Sequence, residues 1–162
     1  MAKALTRFST SRPTISQLWG TLNRFPSGPL LFSKVIGRMA PYTGTIGCRV
    51  KELDMGHSVV EIRDRRAVRN HLNSVHAIAL MNLGEVATGL AVLYAIDGRG
   101  RGIIRSLKMD YLKKARGTIT ATCDAPVPAT SGDHDLEFDA LLHDRDGHLV
   151  ARATATWKVT LD

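Results

Sequence analysis

Four kinds of hydrophobic pattern follow one another along the chain. "QLWGTLNRFP" and "GPLLFSKVIGRMAPY" repeat apolar residues at helical spacing. After Pro41 the period shortens to two: "TGTIGCRVKEL" and "HSVVEIRDRR" alternate apolar and polar positions around an Asp54-Met55-Gly56 turn. "RNHLNSVHAIALMNLGEVATG", continuing through "LAVLYAI", runs without proline to Gly98 and predicts one long helix, with Asn73 or Ser74 as its N-cap. Strand alternation then returns in "GIIRSLKMDYLK", "TITATCDAPV", "DLEFDALLHD" and "LVARATATWKVTL". Ile119, Ala121, Cys123 and Ala125 share one face, as do Ala151, Ala153, Ala155, Trp157 and Val159. Asp146-Gly147 marks a hairpin turn, and "GRGRG" (98–102) reads as a flexible connection from helix to strand.

Short helices, two strands, one long helix and four strands define an α+β class. An antiparallel sheet of about six strands wraps a central helix. Residues 1–40 form a helical extension and 41–162 the main domain. A helix apolar on nearly every side must be covered all round, and one curved sheet covers only part of it. A second copy of the chain is the natural supplier of the rest, so a homodimer is expected.

At 162 residues the chain is one domain's worth. Its apolar runs, such as Leu90 to Ile96, are short for a bilayer span, so no membrane insertion is expected. Cys48 and Cys123 offer neither a disulfide framework nor a metal spacing, and no pair of histidines does either. A reducing cytoplasm is the default compartment, and no metal is expected.

Charge changes the picture more. Lys and Arg number 22 against 15 acids, with a pI near 9.8. The basic excess points to an anionic partner. Aromatics at 6% and the lack of an aromatic-rich basic strand argue against nucleic acid and leave phosphorylated small molecules such as coenzyme A. The first 49 residues hold seven Lys/Arg and no acid. With its scattered Ser and Thr, "MAKALTRFSTSRPTISQLWGTL" also reads as a transit peptide, the alternative to a pair of capping helices.

The long helix carries Asn82 and Glu85 inside its apolar run, with Asn70, Asn73 and His76 at its start. Asn70, His76 and Glu85 stand six and nine residues apart, and "KMDYLKKARG" follows on the next strand. This pattern resembles the hotdog superfamily, in particular PaaI-like acyl-CoA thioesterases and a branch catalogued as a domain of unknown function. In the PaaI-like pattern an Asn precedes His-Gly-Gly, and an Asp or Glu follows nine residues after that His. The resemblance covers about residues 40 to 160. It implies hydrolysis of an acyl-CoA or similar thioester, without a cofactor beyond the coenzyme A of the substrate. It also implies a dimer that can pair into a tetramer. Two departures stand out: the family's glycines are Ala77 and Ile78 here, and Ser106 is only near the position of a strand Ser/Thr that some relatives use.

At 100° and 1.5 Å per residue, His76 and Glu85 face opposite ways about 13 Å apart, too far to close one site in a single chain. Two antiparallel helices bring Asn70 and His76 of one copy against Glu85 of the other. Backbone N–H groups near His76 and Ala77 then face a thioester carbonyl, Glu85 acts as general base or nucleophile, and Asn70 orients water or substrate. Asn82 holds the Glu85 carboxylate or bonds across the dimer, and Lys113, Lys114 and Arg116 meet the coenzyme's phosphates. The structural alternatives are capping by Asn70 and Asn73, a loop bond for His76, and a Glu85–Arg105 ion pair. The competing function is a non-catalytic acyl-CoA or acyl-carrier binding module.

Overall fold

A computed structural model describes residues 13–162, so the first half of the transit-peptide reading lies outside the described residues. Ile15–Leu22 forms α1. It opens on a capping box in which the Thr14 side chain accepts from the Gln17 amide and the Gln17 side chain accepts from the Thr14 amide. Helix α2 spans Gly28–Met39, and the two pack through Trp19 and Phe32, whose rings meet edge to face at 5.0 Å.

The stretch after Pro41 is not extended as its alternation suggested. Pro41–Ile46 forms a short helix, α3, with proline at its start and Gly47 (φ 59°) ending it in the left-handed conformation. Strands β1 (Arg49–Asp54) and β2 (His57–Ile62) follow as a hairpin. Helix α4 is Ala77–Ile96, and β3 (Gly100–Tyr111), β4 (Ile119–Asp124), β5 (Gly132–His143) and β6 (Leu149–Leu161) complete the chain. The sheet is antiparallel throughout, in the order β1-β2-β4-β5-β6-β3. The "GRGRG" stretch is no flexible link, because Gly100 to Gly102 already pair with Leu161 to Val159. A Cβ on Gly100 would lie 2.1 Å from the Thr160 carbonyl oxygen, so only glycine permits that approach.

The sheet curls around α4, of which 14 of 20 residues are buried. By length and composition α4 would also suffice to cross a membrane, which the interrupted apolar runs hid; here most of it is covered by protein. The faces read from alternation hold: Ile119, Ala121, Cys123 and Ala125, and the five β6 residues from Ala151 to Val159, are all buried. Close helix–sheet packing rests on Gly84, where a Cβ would meet that of Ala153 at 2.4 Å. Trp157 donates to Thr88 Oγ1 (3.3 Å), and Thr88 donates to the Glu85 carbonyl (3.1 Å). The central helix is thereby keyed to β6 beside Glu85.

Candidate active site

The N-cap of α4 is His76, not Asn73 or Ser74. Those two residues belong to a loop organised by Asn70, whose Oδ1 accepts from Leu72 N (2.9 Å), Ser74 N (3.2 Å) and Ser74 Oγ (3.1 Å). Asn73 turns this loop with φ 52°, a left-handed conformation that asparagine tolerates. Asn70 therefore commits its carbonyl oxygen to the loop, and its amide N–H groups are what it has left for a ligand.

His76 is anchored on both sides. Its amide donates to the Val68 carbonyl (2.8 Å), and its Nδ1 accepts from Ile78 N (3.1 Å). An accepting Nδ1 fixes the neutral ring's proton on Nε2, an exposed donor. The amide of His76 is thus occupied, whereas Ala77 N–H has no partner among the described residues. On the other side of Ala77, its carbonyl accepts from Tyr111 Oη at 3.0 Å.

Asn70, Ala77 and Tyr111 line one groove of about 340 Å³, and His76, beside Ala77, is outside its lining. Asn70, Leu72, Ala77 and Leu80 form one wall; Tyr111, Lys113 and Lys114 form the other. Arg116 lines an adjoining cleft that shares Lys113 and Lys114. Tyr111 was quoted in the sequence pattern without a role; its place at the end of a strand, two residues before a lysine pair, was the available signal. Ser106 is not brought here. It lies exposed on β3, at the bulge between Ile104 and Ser106, some 17 Å along the strand from Tyr111.

Glu85 lies apart from the groove, half-buried on α4. Burial raises its carboxyl above the ordinary range, and no cation among the described residues relieves it. The suggested partner Arg105 instead reaches Asp135 at 3.5 Å on the surface. The Glu85 charge is felt by Cys48, whose thiol is pushed up to about 11, chiefly by burial. Asn82 does not hold the Glu85 carboxylate. Its Nδ2 donates to the Tyr42 carbonyl (3.3 Å), tying α4 to α3, while its buried Oδ1 has no partner among the described residues.

Away from α4, Asp144, Asp146 and His148 bring ligand-type atoms within 4.8 Å of one another in the β5–β6 turn. The Asp144 carboxylate already accepts from Asp146 N and His148 N and meets His148 Nδ1, so the turn itself accounts for the cluster.

A six-stranded antiparallel sheet wrapped on one long helix defines a hotdog-fold protein. Residues 28–159 match the family described as a domain of unknown function, DUF4442, and the chain belongs to that family. Among solved structures it is similar to a genomics protein designated APC5556. The identity is 33%, covering 91% of this chain and 99% of that one, with a TM-score of 0.79. It is also similar to PA5026 of Pseudomonas aeruginosa, a protein of unknown function described as a probable thioesterase (19%, covering 85% and 97%, TM-score 0.72). A mutant of the thioesterase SAV0944 from Staphylococcus aureus subsp. aureus Mu50 shares the fold at 18% identity, covering 74% and 98%, with a TM-score of 0.65. A search of curated proteins finds no match.

Proposed function

We propose that the protein hydrolyses an acyl thioester, carried by coenzyme A or a similar thiol, in a cleft shared by two copies of the chain. The observation that carries the reading is Glu85: a desolvated carboxylate without a counter-ion among the described residues, on the core helix of a fold shared with thioesterases. Burying such a group is unfavourable, and a raised proton affinity is what a general base near neutral pH requires.

The reaction follows from the groups named above. Glu85 takes a proton from water, and the hydroxide forms a bond to the thioester carbonyl carbon. The developing oxyanion receives hydrogen bonds from Ala77 N–H and His76 Nε2–H. The intermediate collapses by breaking the carbon–sulfur bond, and the thiolate leaves and takes up a proton, giving a carboxylic acid and a free thiol. An antiparallel partner helix brings Glu85 across to this helix start. Strand β3 supports such pairing, because it ends the sheet with one edge unpaired and carries exposed Ile103 and Tyr111, with exposed Leu112 just past its end and exposed Ile78 on α4. Lys113 and Lys114 suit the coenzyme's phosphates at the groove's mouth.

The test is thiol release from a panel of short, long and aromatic acyl-CoAs, comparing the protein with Glu85→Gln. Turnover that collapses in the folded variant is expected. Turnover unchanged in the variant would remove Glu85 from the mechanism. Tight acyl-CoA binding without turnover would favour the non-catalytic module, for which the bulk of Ala77 and Ile78 at the carbonyl position argues.

A further inference from the structure

The acid-free first 49 residues hold none of the groups assigned to hydrolysis above. The fold shapes part of that stretch into a second groove, of about 910 Å³, between α2, α3 and the start of β1. Lys34, Arg38 and Arg49 line it, and no Asp or Glu does. None of the three forms an ion pair among the described residues, and residues 1–12 contain no acid to supply one. Lys34 and Arg38 stand one helical turn apart on α2, where like charges repel. Arg65 adds a fourth cation at the edge: it donates to the Thr45 carbonyl (3.1 Å) and lies against Gly47.

Besides these cations, the polar side chains of the lining are Ser33, Thr43, Thr45 and Cys48. Ser33 Oγ donates to the Pro29 carbonyl (2.7 Å) and accepts from Val50 N (2.9 Å), so it is already satisfied. Thr45 Oγ1 donates to the Tyr42 carbonyl (2.6 Å). Leu30, Pro41 and the close-packed Gly37 and Gly44 leave an apolar floor. No aromatic side chain lines the groove, so an adenine ring finds nothing to stack on. Uncompensated cations above an apolar floor, in a volume of small-molecule size, match one ligand chemistry: an alkyl chain ending in an anion.

We propose that the α2–α3–β1 groove binds a free medium-chain fatty acid, its chain on the apolar floor and its carboxylate held by Lys34, Arg38 and Arg49. Glu85 is outside this lining, although its charge reaches Cys48 within it. Calorimetric titration of the full chain with decanoate tests it, with butyrate, decanol and inorganic phosphate as comparisons. Decanoate is expected to bind at least tenfold more tightly than any of the three. Lys34→Gln/Arg38→Gln, which alters two exposed side chains, is expected to weaken decanoate at least tenfold while its circular dichroism is unchanged. Glu85→Gln removes a nearby negative charge and is expected to bind decanoate at least as tightly as the parent does, so this site and the hydrolytic reading fail separately. Cys48 reports location: decanoate is expected to slow its labelling by a small thiol reagent. Phosphate or butyrate binding as tightly as decanoate would reduce the groove to a plain anion site and overturn the proposal. So would decanol binding equally, an undiminished double variant, or unchanged Cys48 labelling under saturating decanoate.

Discussion

Gly84→Ala places one methyl group where α4 meets the sheet. Its Cβ would lie 2.4 Å from the Ala153 Cβ and 3.4 Å from Met109 Cε. The methionine can turn away, but the Ala153 Cβ is fixed to the backbone of β6, where the residue is fully buried. Carbon atoms rest about 3.5–4.0 Å apart, so helix and strand must separate by roughly 1 Å. Overpacking of this kind costs about 1–3 kcal/mol, against which alanine gains about 1 kcal/mol over glycine inside a helix. The expected result is a net loss of about 1 kcal/mol, read from urea unfolding as a lower midpoint at unchanged slope. In an Ala153→Gly background the clash is gone and only propensity remains, so the same substitution is expected to stabilise by about 1 kcal/mol. Glu85 is the next residue along α4, and thiol release is expected to fall with the shift. A stabilising Gly84→Ala in the parent, or no coupling between positions 84 and 153, would refute the packing argument.

Three other outcomes follow from the site. Ala77→Pro removes the free N–H while suiting the first helical position, since His76 before it is extended (φ −65°, ψ 141°). Thiol release is expected to fall about 10²- to 10³-fold with little change in unfolding midpoint. Because burial raises the Glu85 carboxyl, the native state holds that proton more tightly than the unfolded chain. Stability conferred below the unfolded-state value is then lost as pH rises through the folded one. Glu85→Gln escapes that loss, so its stability relative to the parent is expected to grow as pH rises above about 4, measured by urea midpoints at each pH. Asn82→Asp buries a carboxylate facing the Tyr42 carbonyl, one turn from Glu85, and is expected to destabilise by roughly 3 kcal/mol. Asn82→Leu, which discards an oxygen already lacking a partner, is expected to stay within about 1 kcal/mol of the parent.

Periodicity made the sheet and α4 legible, because a side chain's face is decided by its position in a strand or helix turn. Ala151 to Val159 alternate inward as their spacing required. Where two local signals compete, period alone fails. "TGTI" alternates like a strand, but Pro41 and Gly47 bracket it as one short helical unit. Ser74 has the chemistry of an N-cap, yet Asn70 captures its hydroxyl and amide, so the cap passes to His76. The spacing of Asn70, His76 and Glu85 predicts a site that a single chain cannot close. That Glu85 has no cation beside it among the described residues was not legible, since it depends on Arg105 turning to a neighbouring strand. Tyr111 over Ala77 and the basic groove beside Cys48 are likewise products of tertiary packing between distant segments.

The shared cleft is tested most directly by mixing two inactive proteins. Ala77→Pro lacks the oxyanion donor and Glu85→Gln lacks the base, so neither homodimer has a complete site. A heterodimer that joins Glu85 of one copy to the helix start of the other has one complete site and one doubly defective. Unfolded together at equal amounts, refolded and assayed for thiol release, the mixture is expected to recover about a quarter of the parent's activity, because half the dimers are mixed and each has one of two sites intact. A mixture no more active than the separate variants, with heterodimers shown to form, would contradict a site shared between subunits.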